Sequence, residues 1–303
     1  MKQEFVLGLN DEGRRLDVVL RHFLPEVSLS VLQKAIRKGD VRVNQAKARP
    51  EDRLHEGDIL RVWSGLVSEK HSAPEETASL PQEWVLWESD DLLAVNKPSG
   101  LLVHPSASPQ ESPTLDALVR SSLAPTLTPS LSFRPGPLHR LDRETSGIII
   151  FSRSLQGAQV FSQALRERQL KKTYLAVLSG TMISAEQVSS TLIRDENSRR
   201  TRVGMVGQEA ITGFRPLVHA EGYTLAEVDL GTGRTHQIRV HAAQLGHPLA
   251  GDGKYGGRPV SWPLTRPFFL HSWKLSGAGI PLIQAPLPQA ETQWLKLFFK
   301  FSP

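Results

Sequence analysis

Residues 137–154, PLHRLDRETSGIIIFSRS, set one carboxylate, Asp142, beside Arg140, Arg143 and Glu144. The apolar run Ile148, Ile149, Ile150, Phe151 follows almost at once. A carboxylate among arginines is favoured in its charged form, which suits a salt-bridged loop and equally a nucleophile or general base. By residue type alone the salt-bridged loop is the commoner outcome. Ser146, with His139 and Asp142 close by, raises a hydrolase. However, Glu144-Thr-Ser-Gly-Ile148 is not a Gly-x-Ser-x-Gly elbow, and closeness in sequence is not triad geometry.

Two further stretches could carry chemistry. In GTGRTHQIRVHAAQLGHPLAGDGKYGG, residues 231–257, Gly231 and Gly233 precede Arg234 at a helix start. That placement suits a phosphate or a carboxylate. His236 and His241 lie five residues apart, about 140° from each other around a helix, so they would not face one ion and no metal site is expected. In KKTYLAVLSG, residues 171–180, Tyr174 is either packing in a strand or a ring that stacks on a base and offers a hydroxyl to a proton.

The surrounding elements follow from periodicity. Leu16, Val19, Leu20 and Phe23 are spaced for a helix, as are Leu32, Ala35 and Ile36 in SLSVLQKAIRKG, with Ser28 or Ser30 as cap and Gly39 as stop. Lys34, Arg37 and Lys38 fall opposite that second apolar face. DVRVNQ and HEGDILRVW predict strands. Residues 67–82 are polar and rich in Ser, Pro and Glu, as in a linker. This divides the chain into a small domain at 1–66 and a larger one at 83–303. Within the larger one, WVLWESDDLLAVNK predicts two strands about an Asp90-Asp91 turn, 155–170 a helix, and 173–180 and 222–231 strands. RTHQIRVHAAQLGHP predicts a helix capped by Thr235, with Ile238, Ala242 and Leu245 on its apolar face. Loops are expected at 104–114 and 121–137. Strands and helices mix without regular alternation, which predicts an α+β fold.

Composition narrows the classes. The 303 residues include no cysteine, which excludes disulfides and thiolate chemistry, and no stretch is long and apolar enough for a membrane span. No secretory leader is evident at the N-terminus, so a cytoplasmic protein with no membrane partner is expected. The formal net charge is +5. Basic residues outnumber acidic ones between His139 and Arg202, a field that suits an anionic polymer.

In combination these motifs carry more than singly. NKPSGLLVHP (96–105), HRLDRETSGIIIFSRS (139–154), KKTYLAVLSG and the stretch from Gly231 onward occur in one order, and together they resemble the RluA family of RNA pseudouridine synthases. Residues 14–62 resemble the small α/β RNA-binding domain named after the fourth small-subunit ribosomal protein. The resemblance implies a mixed, largely antiparallel sheet with a central cleft and an isomerase needing no cofactor. The implied substrate is RNA, with large-subunit ribosomal RNA favoured and transfer RNA open, and the implied assembly a monomer. It implies Asp142 as catalytic aspartate, attacking the ribose or removing its 2′ proton. Arg234 is implied as its charge partner and Tyr174 as the residue on the uracil. Arg140 would fill the gap of a flipped uridine, and Ile238 would line the pocket. Lys34, Arg37 and Lys38 would contact RNA. The competing expectation is a non-catalytic RNA-binding or ribosome-assembly factor.

Overall fold

A computed structural model describes residues 2–67, 79–105, 113–127, 130–195, 200–260 and 266–303. The N-terminal elements are β1 (Lys2–Val6), α1 (Leu16–Phe23), α2 (Leu29–Lys38), β2 (Val41–Val43), β3 (Ala46–Lys47) and β4 (Ile59–Trp63). The strands form an antiparallel sheet in the order β1-β4-β2-β3. Leu16, Val19, Leu20 and Phe23 from α1 and Leu32, Ala35 and Ile36 from α2 are buried over it, so the helical spacing in the sequence becomes one core. Gly39 ends α2 at φ 84°, a left-handed conformation that a side chain would oppose. Lys34, Arg37 and Lys38 are exposed on the outer face of α2.

The larger body runs β5 (Val85–Glu88), β6 (Leu92–Lys97), α3 (Leu115–Leu123), β7 (Ser146–Ser152), α4 (Leu155–Arg166), β8 (Lys171–Ser179) and β9 (Glu186–Asp195). It continues with β10 (Arg200–Val203), β11 (Gln208–Ala220), β12 (Tyr223–Leu230), α5 (Gln237–Gln244), β13 (Leu270–Gly277), β14 (Ile280–Gln284) and α6 (Gln289–Phe298). One sheet takes the order β10-β9-β11-β12-β8-β13-β7-β6-β5, with β14 beside β13. Among the described residues only β13 and β7 pair in parallel. The expected α+β class, with a mixed and largely antiparallel sheet, is what forms.

Every residue of β7 is buried, and Ile148, Ile149, Ile150 and Phe151 are wholly so. Each such side chain contributes about 1.5–3 kcal/mol of transfer free energy, an upper bound given a compact unfolded chain. Gly147 lets β13 approach: at φ 103°, a Cβ there would lie 2.2 Å from the carbonyl oxygen of Ser272. The helix expected over 155–170 stops at Arg166, because Arg168 turns the chain at φ 58° toward β8. Of the linker expected at 67–82, residues 68–78 lie outside the described residues, as do 106–112 of the loop expected at 104–114. No helix among the described residues is long and apolar enough to cross a membrane.

The two bodies share a polar joint that the sequence did not announce. Asp11 is fully buried. Its Oδ1 accepts from Ser130 Oγ (2.8 Å), Ser132 N (3.1 Å) and Ser132 Oγ (2.5 Å), and its Oδ2 from Leu131 N (3.2 Å). Arg14 Nη1 donates to Ser132 O (3.0 Å), and Leu131 packs against the N-terminal core. Removing the carboxylate strands those donors, at a cost of about 1–3 kcal/mol. Asp11→Ala is therefore expected to raise amide hydrogen exchange at 130–133 while α1 and α2 keep their protection. Unchanged exchange at 130–133 would show that the joint does not hold the bodies together.

Candidate active site

Asp142 lies in the loop leading into β7, and the loop is held from beneath by a lysine. Lys97, at the end of β6, is fully buried, and its Nζ donates to Pro98 O (2.8 Å), Leu101 O (2.8 Å) and Arg143 O (2.9 Å). Three carbonyls match the three donors of an ammonium. Burial pulls Lys97 down to about 7, and the nearby carboxylates of Glu144 and Asp142 work against that pull. Ser99 Oγ donates to Glu144 O (2.8 Å), and Arg143 Nε to Gly100 O (2.9 Å). Arg143 thus reaches the backbone of the turn after β6, not Asp142.

The charge partner of Asp142 is Arg239, not Arg234. Arg239 Nη1 donates to Asp142 Oδ2 at 3.1 Å, while its Nε and Nη2 make a bidentate pair with Asp252 at 2.7 and 2.8 Å. Its guanidinium also lies 4.6 Å from the ring centroid of Phe268 and 5.0 Å from that of Tyr255. Arg234 is exposed instead, and its Nε donates to Glu209 O at 3.1 Å. The physical reason is where the helix begins. Arg234 belongs to the turn before α5, where Gln237 holds the backbone: its Oε1 accepts from Arg234 N and Thr232 Oγ1, and its Nε2 donates to Ile211 O and Thr212 Oγ1. Thr235 does not cap α5; His236 does, at φ 55°. A signal for Arg239 was present in QIRVHAA, since an arginine inside an otherwise buried helix must be paired.

His236 contributes a second contact. Thr201 N donates to the Tyr255 hydroxyl oxygen (3.0 Å), and that hydroxyl lies 2.7 Å from His236 Nδ1. The other ring nitrogen, Nε2, faces Asp142 Oδ2 at 3.8 Å. Burial lowers the His236 pKa to about 4, so the imidazole is neutral near pH 7. His241, the other histidine of the helix, bonds Thr212 Oγ1 and Ser190 Oγ, both at 2.9 Å.

Tyr174 and Ile238 join Asp142 in one pocket, with Leu141, Leu230 and Leu270 as apolar walls. Tyr174 is 5% exposed, and burial pushes its hydroxyl up to about 12. Arg140 is exposed and borders this pocket and both larger cavities beside it, of about 610 and 390 Å³. Lys34, Arg37 and Lys38 belong to the N-terminal domain and do not line any of these cavities.

The hydrolase constellation does not assemble. Ser146 is buried, its Oγ accepts from Arg266 Nη1 (2.9 Å), and it lies 2.8 Å from His271 Nδ1. His271 Nε2 is directed at Ala285 O (3.1 Å), and burial holds this histidine down to about 3. His139 is equally structural: its Nε2 accepts from Ile150 N at 3.0 Å, and burial lowers its pKa to about 4.

Residues 91–244 match the family model described as RNA pseudouridylate synthase, and residues 14–60 match the S4 domain. The chain is 37% identical over 249 residues to the ribosomal large subunit pseudouridine synthase D of Xylella fastidiosa, covering 81% of this chain and 72% of that one. It is 36% identical to the ribosomal large subunit pseudouridine synthase C of Pasteurella multocida, covering 88% and 83%. The solved structure of human RNA pseudouridylate synthase domain containing 4 superposes with a TM-score of 0.57 at 22% identity, over 70% of this chain and 92% of that one, a likeness of fold.

Proposed function

We propose, since the chain belongs to the RNA pseudouridylate synthase family, that it converts uridines of large-subunit ribosomal RNA to pseudouridine, with Asp142 as the reactive carboxylate. The observation that carries the site is the Asp142–Arg239–Asp252 chain of hydrogen bonds beside the pocket of Tyr174 and Ile238. The enzyme is an isomerase acting on RNA. In the reaction the bond from ribose C1′ to uracil N1 breaks, a bond from C1′ to C5 forms, the C5 proton leaves to water, and N1 takes up a proton in exchange. Oxidation states balance, so the chemistry draws on no redox partner.

Asp142 acts on the ribose, either by attack at C1′ or by removing the 2′ proton. Arg239 aims it, and Asp252 with the two flanking rings keeps Arg239 from swinging away. A stacked uridine hides its glycosidic bond, so the nucleotide must leave the helix to reach Asp142. Arg140, exposed at the meeting of the cavities, is placed to occupy the space it vacates. Tyr174, with its hydroxyl at about 12, enters the reaction as a phenol. Its ring is the contact for the uracil, and taking the C5 proton requires the bound substrate to lower that value first.

The target is inferred from the relatives that carry the name ribosomal large subunit pseudouridine synthase and from the S4 domain, whose Lys34, Arg37 and Lys38 form an exposed basic face on α2. The protein works in this reading as a cytoplasmic monomer. Mapping pseudouridines in ribosomal and transfer RNA from cells with and without the protein tests it. Loss of specific sites from the large-subunit RNA is expected. Loss confined to transfer RNA would move the target, and no loss anywhere would favour an RNA-binding assembly factor.

A further inference from the structure

Lys172 has no role in the reaction described above, yet it occupies an unusual place. It precedes Tyr174 by two residues on β8, so both side chains emerge on the same face of the sheet. It lines the cavity of about 390 Å³ together with His139, Arg140, Arg166, Arg168 and Arg234. Among the described residues, no carboxylate lines that cavity. Glu209, near its edge, is engaged by Arg168 (2.5 Å). Among the described residues, no hydrogen bond or ion pair engages the Lys172 ammonium. Burial, and then the charge of Arg234, lower its pKa to about 8.

Cations gathered without a counter-charge cost stability, and the half-buried ammonium costs the most per group. An anion delivered by the substrate removes that cost. The cavity shares Arg140, Tyr174, Leu230, Gly233 and Arg234 with the pocket of Asp142, so whatever fills it is a neighbour of the reacting nucleotide. RNA carries one phosphate per nucleotide step. We propose that this cavity is a phosphodiester subsite, anchored by Lys172, that receives the linkage adjoining the uridine presented to Asp142. It rests on the RNA reading above and adds a residue that fixes where the backbone lies.

The charge-assisted contact is made to the ground state and the transition state alike, so its removal raises KM and spares kcat. In tritium release from RNA labelled at uracil C5, Lys172→Met is expected to raise KM about ten- to a hundredfold. Its kcat should stay near wild type, and its affinity should fall less steeply with salt, the logarithmic slope shrinking by about one. A second readout is pH. As pH rises through about 8 the free lysine loses its proton, so wild-type KM should rise there. The other cations of the cavity are arginines, which keep their charge, while His139 at about 4 and Tyr174 at about 12 titrate elsewhere. Lys172→Arg should therefore restore KM and remove the rise. Lys172→Met with wild-type KM and salt slope, alongside normal tritium release, overturns the subsite and leaves the enzyme assignment intact. A loss of kcat and thermal stability without a KM effect would make Lys172 a structural lysine and overturn it too. Absence of release from wild-type protein would overturn the RNA reading itself.

Discussion

Asp142→Asn is expected to abolish tritium release, to about 10³-fold or more below wild type, while leaving RNA affinity and the fold in place. The amide keeps an oxygen that can accept from Arg239 Nη1, now 3.1 Å from Oδ2, so the loop need not move. It cannot attack C1′ or accept a proton as a carboxylate does. The loop itself is secured by Lys97 and Ser99, whose bonds go to backbone carbonyls and do not involve the Asp142 side chain. Release assayed alongside filter binding of the same RNA separates chemistry from recognition. An Asn variant that releases tritium at more than a few per cent of the wild-type rate would remove Asp142 from the chemical step.

Arg239→Lys should be nearly as damaging, for a different reason. The guanidinium serves two carboxylates at once, with two bonds to Asp252 and one to Asp142. An ammonium is a point donor that cannot reproduce the fork. Asp252 is 2% exposed, and breaking a buried pair costs about 3–5 kcal/mol when one partner is left uncompensated. The expected result is a lower melting temperature together with a kcat reduced about a hundredfold or more, since a misplaced reactive group loses most of its orientation advantage. Arg234→Gln is the contrasting measurement. That side chain is exposed and bonded to a backbone carbonyl, so its loss should appear mainly in KM. If Arg234→Gln lost kcat and Arg239→Lys kept it, the pairing seen around Asp142 would not be the catalytic one.

The relation of Arg234 to Arg239 shows where sequence reasoning reached its limit. Both arginines stand in one motif, and residue type cannot say which of them crosses to a loop nearly a hundred positions earlier. The family resemblance implied Arg234 as the partner of Asp142, with α5 expected to start at Thr235. The helix starts after His236 because Gln237 ties the preceding turn to Thr232, Ile211 and Thr212, contacts that exist only once β11 lies alongside. Ser146 illustrates the converse. Its local neighbours raised a triad, but its actual partners, Arg266 and His271, come from more than a hundred residues away and use its hydroxyl as scaffold.

What the amino-acid sequence determined by itself is whatever depends on local spacing. The helical periodicity of α1, α2 and α4, the apolar run of β7, the hairpin of β5 and β6 and the class of fold all follow from which residues must be buried at period 3.6 or 2. The ordered motifs also identified Asp142, Tyr174, Ile238 and Arg140 as companions before any contact was seen. Tertiary structure alone decided the charge partner of Asp142, the seating of His236 between Tyr255 and Asp142, and the Asp11 joint between the two bodies. It also decided the cavity in which Lys172 stands, among the described residues, without a counter-ion. Each of these is a pairing of polar groups over a long sequence separation. Burial makes such pairings energetically obligatory, but the fold chooses the partners.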